Sequence, residues 1–67
     1  MKIIIEINVD GEAFFGEDGN TQDAGAITET LRREITASKI EQALFTAPAP
    51  IFDFNGNRCG IIDSDSE

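Results

Sequence analysis

Thirteen Asp and Glu against five Lys and Arg are the main chemical resource of this 67-residue chain. It has no His, so any general acid or base would have to be a carboxylate held in an apolar cleft that raises its pKa. A domain this small leaves little room for such a cleft. One Cys and no His exclude a disulfide framework and a Cys/His zinc site. Asp53-x-Asn55-x-Asn57 starts like a calcium loop. However, Arg58 stands where that loop needs Gly, and Ser64 stands where it needs a bidentate Glu. Asp18, Asn20, Gln22 and Asp23 also space out oxygen ligands, again without the Gly and the closing Glu. No catalytic residue, metal or cofactor is therefore expected, and the chain reads as a non-enzyme. Cys59 is expected in the core as a small hydrophobe.

The remaining chemistry is electrostatic. A net charge of -8 repels nucleic acid and anionic membrane alike. The only adjacent basic pair, Arg32-Arg33, shares its segment with Glu29 and Glu34. The same field attracts proteins with basic, nucleic-acid-binding grooves, because carboxylates spaced like phosphates can occupy such a groove. The candidate contacts are Asp10, Glu12, Glu17, Asp18 and Asp23 in a Gly-rich acidic segment, together with Glu29. Phe14 and Phe15 interrupt that segment, and one of them could serve as an apolar anchor. The plain alternative is that acidity keeps a small domain dispersed.

The elements that must hold these groups are legible in part. Lys2 to Val9 is rich in β-branched residues and reads as a strand, with Ile3, Ile5, Ile7 and Val9 on one face and Lys2, Ile4, Glu6 and Asn8 on the other. Asp23 or Thr21 caps a helix whose stripe is Ala24, Ile27, Leu31 and Ile35. The stripe loses phase past Ala37, and Ser38-Lys39-Ile40-Glu41 fits a capping box for a short second helix. Thr46 to Pro50 should be extended. Ile51 to Ile62 reads as a hairpin turning on Asn55-Gly56 in a type I′ turn, with Asp53 opposite Arg58.

These elements predict an α+β domain over residues 1–62, in the order β-α-β-β, and an acidic tail over 63–67. One face of a three-stranded sheet packs on the helix, and the strand order is open between an all-antiparallel and a mixed sheet. The expected core is Ile3, Ile5, Ile7, Val9, Ile27, Leu31, Ile35, Phe52, Phe54, Cys59 and Ile61. That choice leaves Ile4, Ile51 and Ile62 on the outer face, where they would form an apolar patch for self-association into a homodimer. A lone Cys suits a reducing cytoplasm.

Several segments together resemble a group of small acidic proteins of bacteriophages and prophages. They are the opening Met1–Asp10 strand, the acidic Phe-containing loop, the helix through Leu31-Arg32-Arg33-Glu34, and the closing Asp53-Phe54-Asn55-Gly56-Asn57-Arg58-Cys59-Gly60. Members carry a "D-N-x-A-F"-like turn and a D-x-N-G-N-x-x-G hairpin. Here the turn reads Val9-Asp10-Gly11-Glu12-Ala13-Phe14, without the Asn. The resemblance implies a phage context and a host-cell cytoplasm. In that context small acidic proteins inhibit host defence complexes, as anti-CRISPR proteins and DNA mimics do. It assigns no functional residue.

Overall fold

A computed structural model describes residues 1–65 as β1 (Lys2–Ile7), α1 (Ala24–Glu34), α2 (Ala37–Phe45), β2 (Ala49–Phe52) and β3 (Arg58–Asp65). A single 3-10 turn, Glu12–Phe14, lies between β1 and α1. The strands form one sheet in the order β1-β3-β2, antiparallel throughout, which settles the order that the sequence left open. The fold is α+β. β3 runs on to Asp65, opposite Lys2, so residues 63–65 of the expected tail are strand. Ser66 and Glu67, also assigned to that tail, lie outside the described residues.

Local chemistry explains the helix ends. The Asp23 carboxylate accepts from the N–H groups of Gly25 and Ala26, capping α1 as the sequence suggests. The second cap is not Ser38. Thr36, extended at ψ 159, accepts from the Lys39 N–H, and α2 starts two residues earlier than the capping box implied. The break falls at Ile35-Thr36. Both are β-branched, and Thr competes for backbone donors best from a cap.

The closing hairpin keeps the expected pairing of Ile51 with Gly60 but turns differently. Asp53 Oδ1 accepts from the N–H groups of Asn55 and Asn57, and the Gly56 N–H closes on the Asp53 carbonyl. Gly56 has φ +79, whereas no described non-glycine residue has positive φ. Asn55 therefore does not adopt the conformation a type I′ turn requires. The turn is a tight one locked by the Asp53 side chain and relieved by a left-handed Gly. The cost is a bulge: Phe52 stands opposite Arg58, not Cys59. Asp53 spends its carboxylate on the turn, and the expected Asp53–Arg58 ion pair is not found among the described residues.

The hairpin presents its other face to the helices. The buried cluster is Ala43, Ala49, Ile51 and Ile62, with Ile35 and Cys59 packed against it. Phe52, Phe54 and Ile61, expected inside, are not part of it, and both Phe side chains are exposed. The reason is the close approach of α2. Ala43 sits over Ala49, Ile51 and Ile62, and its carbonyl accepts from Ser64 Oγ at 2.7 Å. Phenyl rings would not fit that spacing. Outside, Arg33 lies 4.7 Å above the Phe54 ring and Lys39 5.6 Å above Phe52. Ile3, Ile5 and Ile7 do share the face of Ile62, as the register shows. They belong to an edge strand beyond the reach of α2, which packs on β3 and β2, and so they stay outside the buried cluster. Val9, Ile27 and Leu31, also expected inside, are half-buried.

Glu34 joins the α1–α2 break to β2. Its Oε1 accepts from Lys39 Nζ and from the Phe52 N–H, each at 2.8 Å. Lys39, first, and then the Phe52 N–H hold the Glu34 carboxyl below its ordinary value of 4.5. A lowered folded-state pKa gives stability that is present above that ordinary value and lost as pH falls through the lowered one. Glu34→Gln should cost about 1–3 kcal/mol at neutral pH, a range set by charge-assisted bonds in a largely buried position. The gap to the unmodified protein should close as pH falls below 4.5, which urea unfolding of both proteins along a pH series would read.

Candidate functional site: an acidic groove

The end of β1, the loop that follows it and the tip of the β2–β3 hairpin enclose an open groove of about 720 Å³. The length of the chain suggested little room for one. It forms because the chain leaves β1 at Ile7 and passes over the hairpin. An Asn8 N–H bond to the Cys59 carbonyl at 2.7 Å and a Gly11–Phe14 backbone bond hold the path. Phe14 anchors the loop and is completely buried. At Gly11 the loop lies against Asp53, where a Cβ would sit at an ordinary contact distance of 3.9 Å from Oδ2.

Four carboxylates line the groove: Glu6, Asp10, Glu12 and Asp53. Arg58 is the single cation in its wall. Glu6, Asp10 and Glu12 are exposed, whereas Asp53 is buried. The other described cations are engaged or distant. Arg33 and Lys39 bind Glu34, and Arg32 lies 3.8 Å from Glu29. Lys2 lies at the far end of β1, opposite Asp65. The groove therefore keeps a negative potential, which its walls concentrate.

The structure divides the predicted contacts. Asp10 and Glu12 meet in the groove. Glu17, Asp18, Asp23 and Glu29 are exposed but lie outside its lining. The Asp18 carboxylate accepts from the N–H groups of Asn20 and Thr21, which hold its pKa below the ordinary 3.8. Asp23 is the cap of α1, and Glu29 faces Arg32. These three are at least partly structural.

Of the proposed anchors, Phe14 is removed by its burial. Phe15 is half-buried and bridged to Gln22, closing the loop between them. The self-association patch also dissolves. Ile51 and Ile62 are completely buried beneath α2, and only Ile4 stays on the outer face.

The sequence reading missed Glu6 and Asp53 as groove residues. Glu6 looked like the polar side of a strand. Asp53 looked like a partner for Arg58, although an Asp just before an Asn-Gly turn was a signal for a bend-locking side chain. Cys59 also lines the groove. Burial first, and then the charges of Asp53 and Glu34, push its thiol up, so it stays protonated and a poor nucleophile. Among the described residues no three His, Cys, Asp or Glu side chains are arranged to hold a metal ion. No helix is long and apolar enough to cross a membrane.

Comparison with protein families, curated proteins and solved structures found no match. The likeness to small acidic phage proteins rests on the sequence segments alone.

Proposed function

We propose that this protein is a non-enzymatic inhibitor that binds a basic, nucleic-acid-binding surface of a partner, with the acidic groove as its focus. One observation carries the reading: Glu6, Asp10, Glu12 and Asp53 converge on one concavity that holds a single cation. Such a site accepts Lys or Arg side chains that would otherwise hold phosphates, so partner binding and nucleic-acid binding become mutually exclusive. The resemblance to phage proteins points to a host defence complex as the partner, in the manner of anti-CRISPR proteins and DNA mimics. Long-range attraction from a charge of -8 would speed encounter and fade with salt.

The test is capture from a nuclease-treated bacterial lysate on the immobilised protein, beside a double variant Asp10→Asn/Glu12→Gln. Neither carboxylate has a hydrogen-bond partner among the described residues, so the fold should survive. The unmodified protein should retain nucleic-acid-binding proteins that added DNA releases. The double variant should bind them roughly tenfold more weakly, at about 0.7 kcal/mol for each carboxylate neutralised. Equal retention by both, or retention that DNA does not disturb, would remove the electrostatic reading.

A further inference from the structure

The two edges of the sheet are finished in opposite ways. At β2 the outward-pointing backbone groups are all used. The Phe52 N–H donates to Glu34 Oε1 at 2.8 Å, the Phe52 carbonyl accepts from Arg33 at 2.8 Å, and the Pro50 carbonyl accepts from Lys39 at 2.9 Å. Pro50 has no N–H to leave over. That edge is closed to any further strand.

At β1 the corresponding groups are open. The Asn8 N–H bond to Cys59 fixes the alternation along the ladder. Even-numbered residues of β1 turn their backbone groups to β3, and Ile3, Ile5 and Ile7 turn theirs outward. Among the described residues no side chain bonds those three. The strand has no Pro, Gly or bulge, and Ile3, Ile4 and Ile5 are 39%, 36% and 44% exposed. Natural sheets rarely leave such an edge bare.

We infer that β1 pairs antiparallel with β1 of a second copy of this chain, about a two-fold axis at Ile4, so that the sheet continues across the two molecules. The sequence of the strand selects this partner and this register. Outward-facing residues must stand opposite one another for their N–H and carbonyl groups to bond, which puts the axis on a residue, such as Ile3, Ile4 or Ile5, and not between two. Centring on Ile4 sets Ile3 against the partner's Ile5 and Lys2 against the partner's Glu6. Lys-Ile-Ile-Ile-Glu is thus complementary to itself when reversed. Centring on Ile3 would set Lys2 against the partner's Ile4, and centring on Ile5 would set it against the partner's Asn8. Only one register places opposite charges face to face, in a pair where side chains lie closest. On the helix side Ile3 and Ile5 of both copies then form one apolar cluster.

The contact is short, so the dimer belongs with weak, micromolar associations. Two copies of charge -8 repel at long range, whereas each Lys2–Glu6 pair acts at contact. Added salt should therefore tighten the dimer. The groove reading predicts the reverse salt dependence for partner binding, which separates the two proposals although Glu6 belongs to both; in the dimer Asp10, Glu12 and Asp53 remain to the groove.

The experiment is sedimentation equilibrium of the purified protein at low and physiological ionic strength, with four variants. The unmodified protein should show a monomer–dimer equilibrium that strengthens with salt. Glu6→Lys should weaken it roughly tenfold, because both ends of the contact become like-charged. Lys2→Glu/Glu6→Lys should recover most of that loss. On mild oxidation Ile4→Cys should form a covalent dimer across the axis. Lys2→Cys should not, since the two copies of position 2 lie four residues apart along the ladder. A monomer at every concentration and salt, a charge-swapped double variant no tighter than Glu6→Lys, or equal cross-linking at positions 2 and 4 would overturn the inference.

Discussion

Gly60→Ala should unfold most of the protein or strip β1 from the sheet. A Cβ at position 60 would run into the Glu6 carbonyl oxygen and come within 3.0 Å of the Ile7 Cα. Both obstacles are backbone of the neighbouring strand, so no side chain can rotate away to relieve them. The β1–β3 ladder would have to part where it adjoins the groove. Overpacking against fixed atoms costs about 3 kcal/mol or more. A domain of 67 residues has roughly 3–10 kcal/mol in total. Urea unfolding followed by circular dichroism would read the loss. A change under about 1 kcal/mol would mean that the strands are not this close.

The second large effect is Ile62→Ala, expected to cost about 2–5 kcal/mol by leaving a cavity under α2. Ile62 is completely buried at the centre of the cluster with Ala43, Ala49 and Ile51. Phe54→Ala should cost about 1 kcal/mol or less, since it removes an exposed ring and the Arg33 contact above it. Residue size alone would rank the two the other way. Paired thermal or urea unfolding of the variants measures the order directly. A larger loss for Phe54→Ala than for Ile62→Ala would mean that the Phe face of the hairpin is the one the helices cover.

That contrast marks where the sequence was readable. Alternation correctly divides the hairpin into an Ile51/Ile62 set and a Phe52/Ile61 set, and it places Ile3, Ile5 and Ile7 together. Alternation does not say which set faces the helices. Hydrophobic mass favoured the Phe set. The structure follows the small residues Ala43 and Ala49, which let α2 approach, and the cations Arg33 and Lys39, which cover the rings outside. The Asp23 cap was legible because it is local. The Thr36 cap was hidden by a better-looking box two residues later. The acidic segment announced Asp10 and Glu12. Their meeting with Glu6 and Asp53 depends on β1 pairing with β3, a contact of long sequence separation that composition does not encode.

The central claim is that the groove is where a cationic partner sits. The most direct measurement is an amide chemical-shift map of the isotope-labelled protein titrated with an oligoarginine peptide. Saturable shifts confined to Gly11, Glu12, Asn57, Arg58 and their neighbours, weakened by salt and by Asp10→Asn/Glu12→Gln, are the predicted result. Shifts spread evenly over Glu17, Asp18 and Glu29, or centred on the β1 isoleucines, would contradict it.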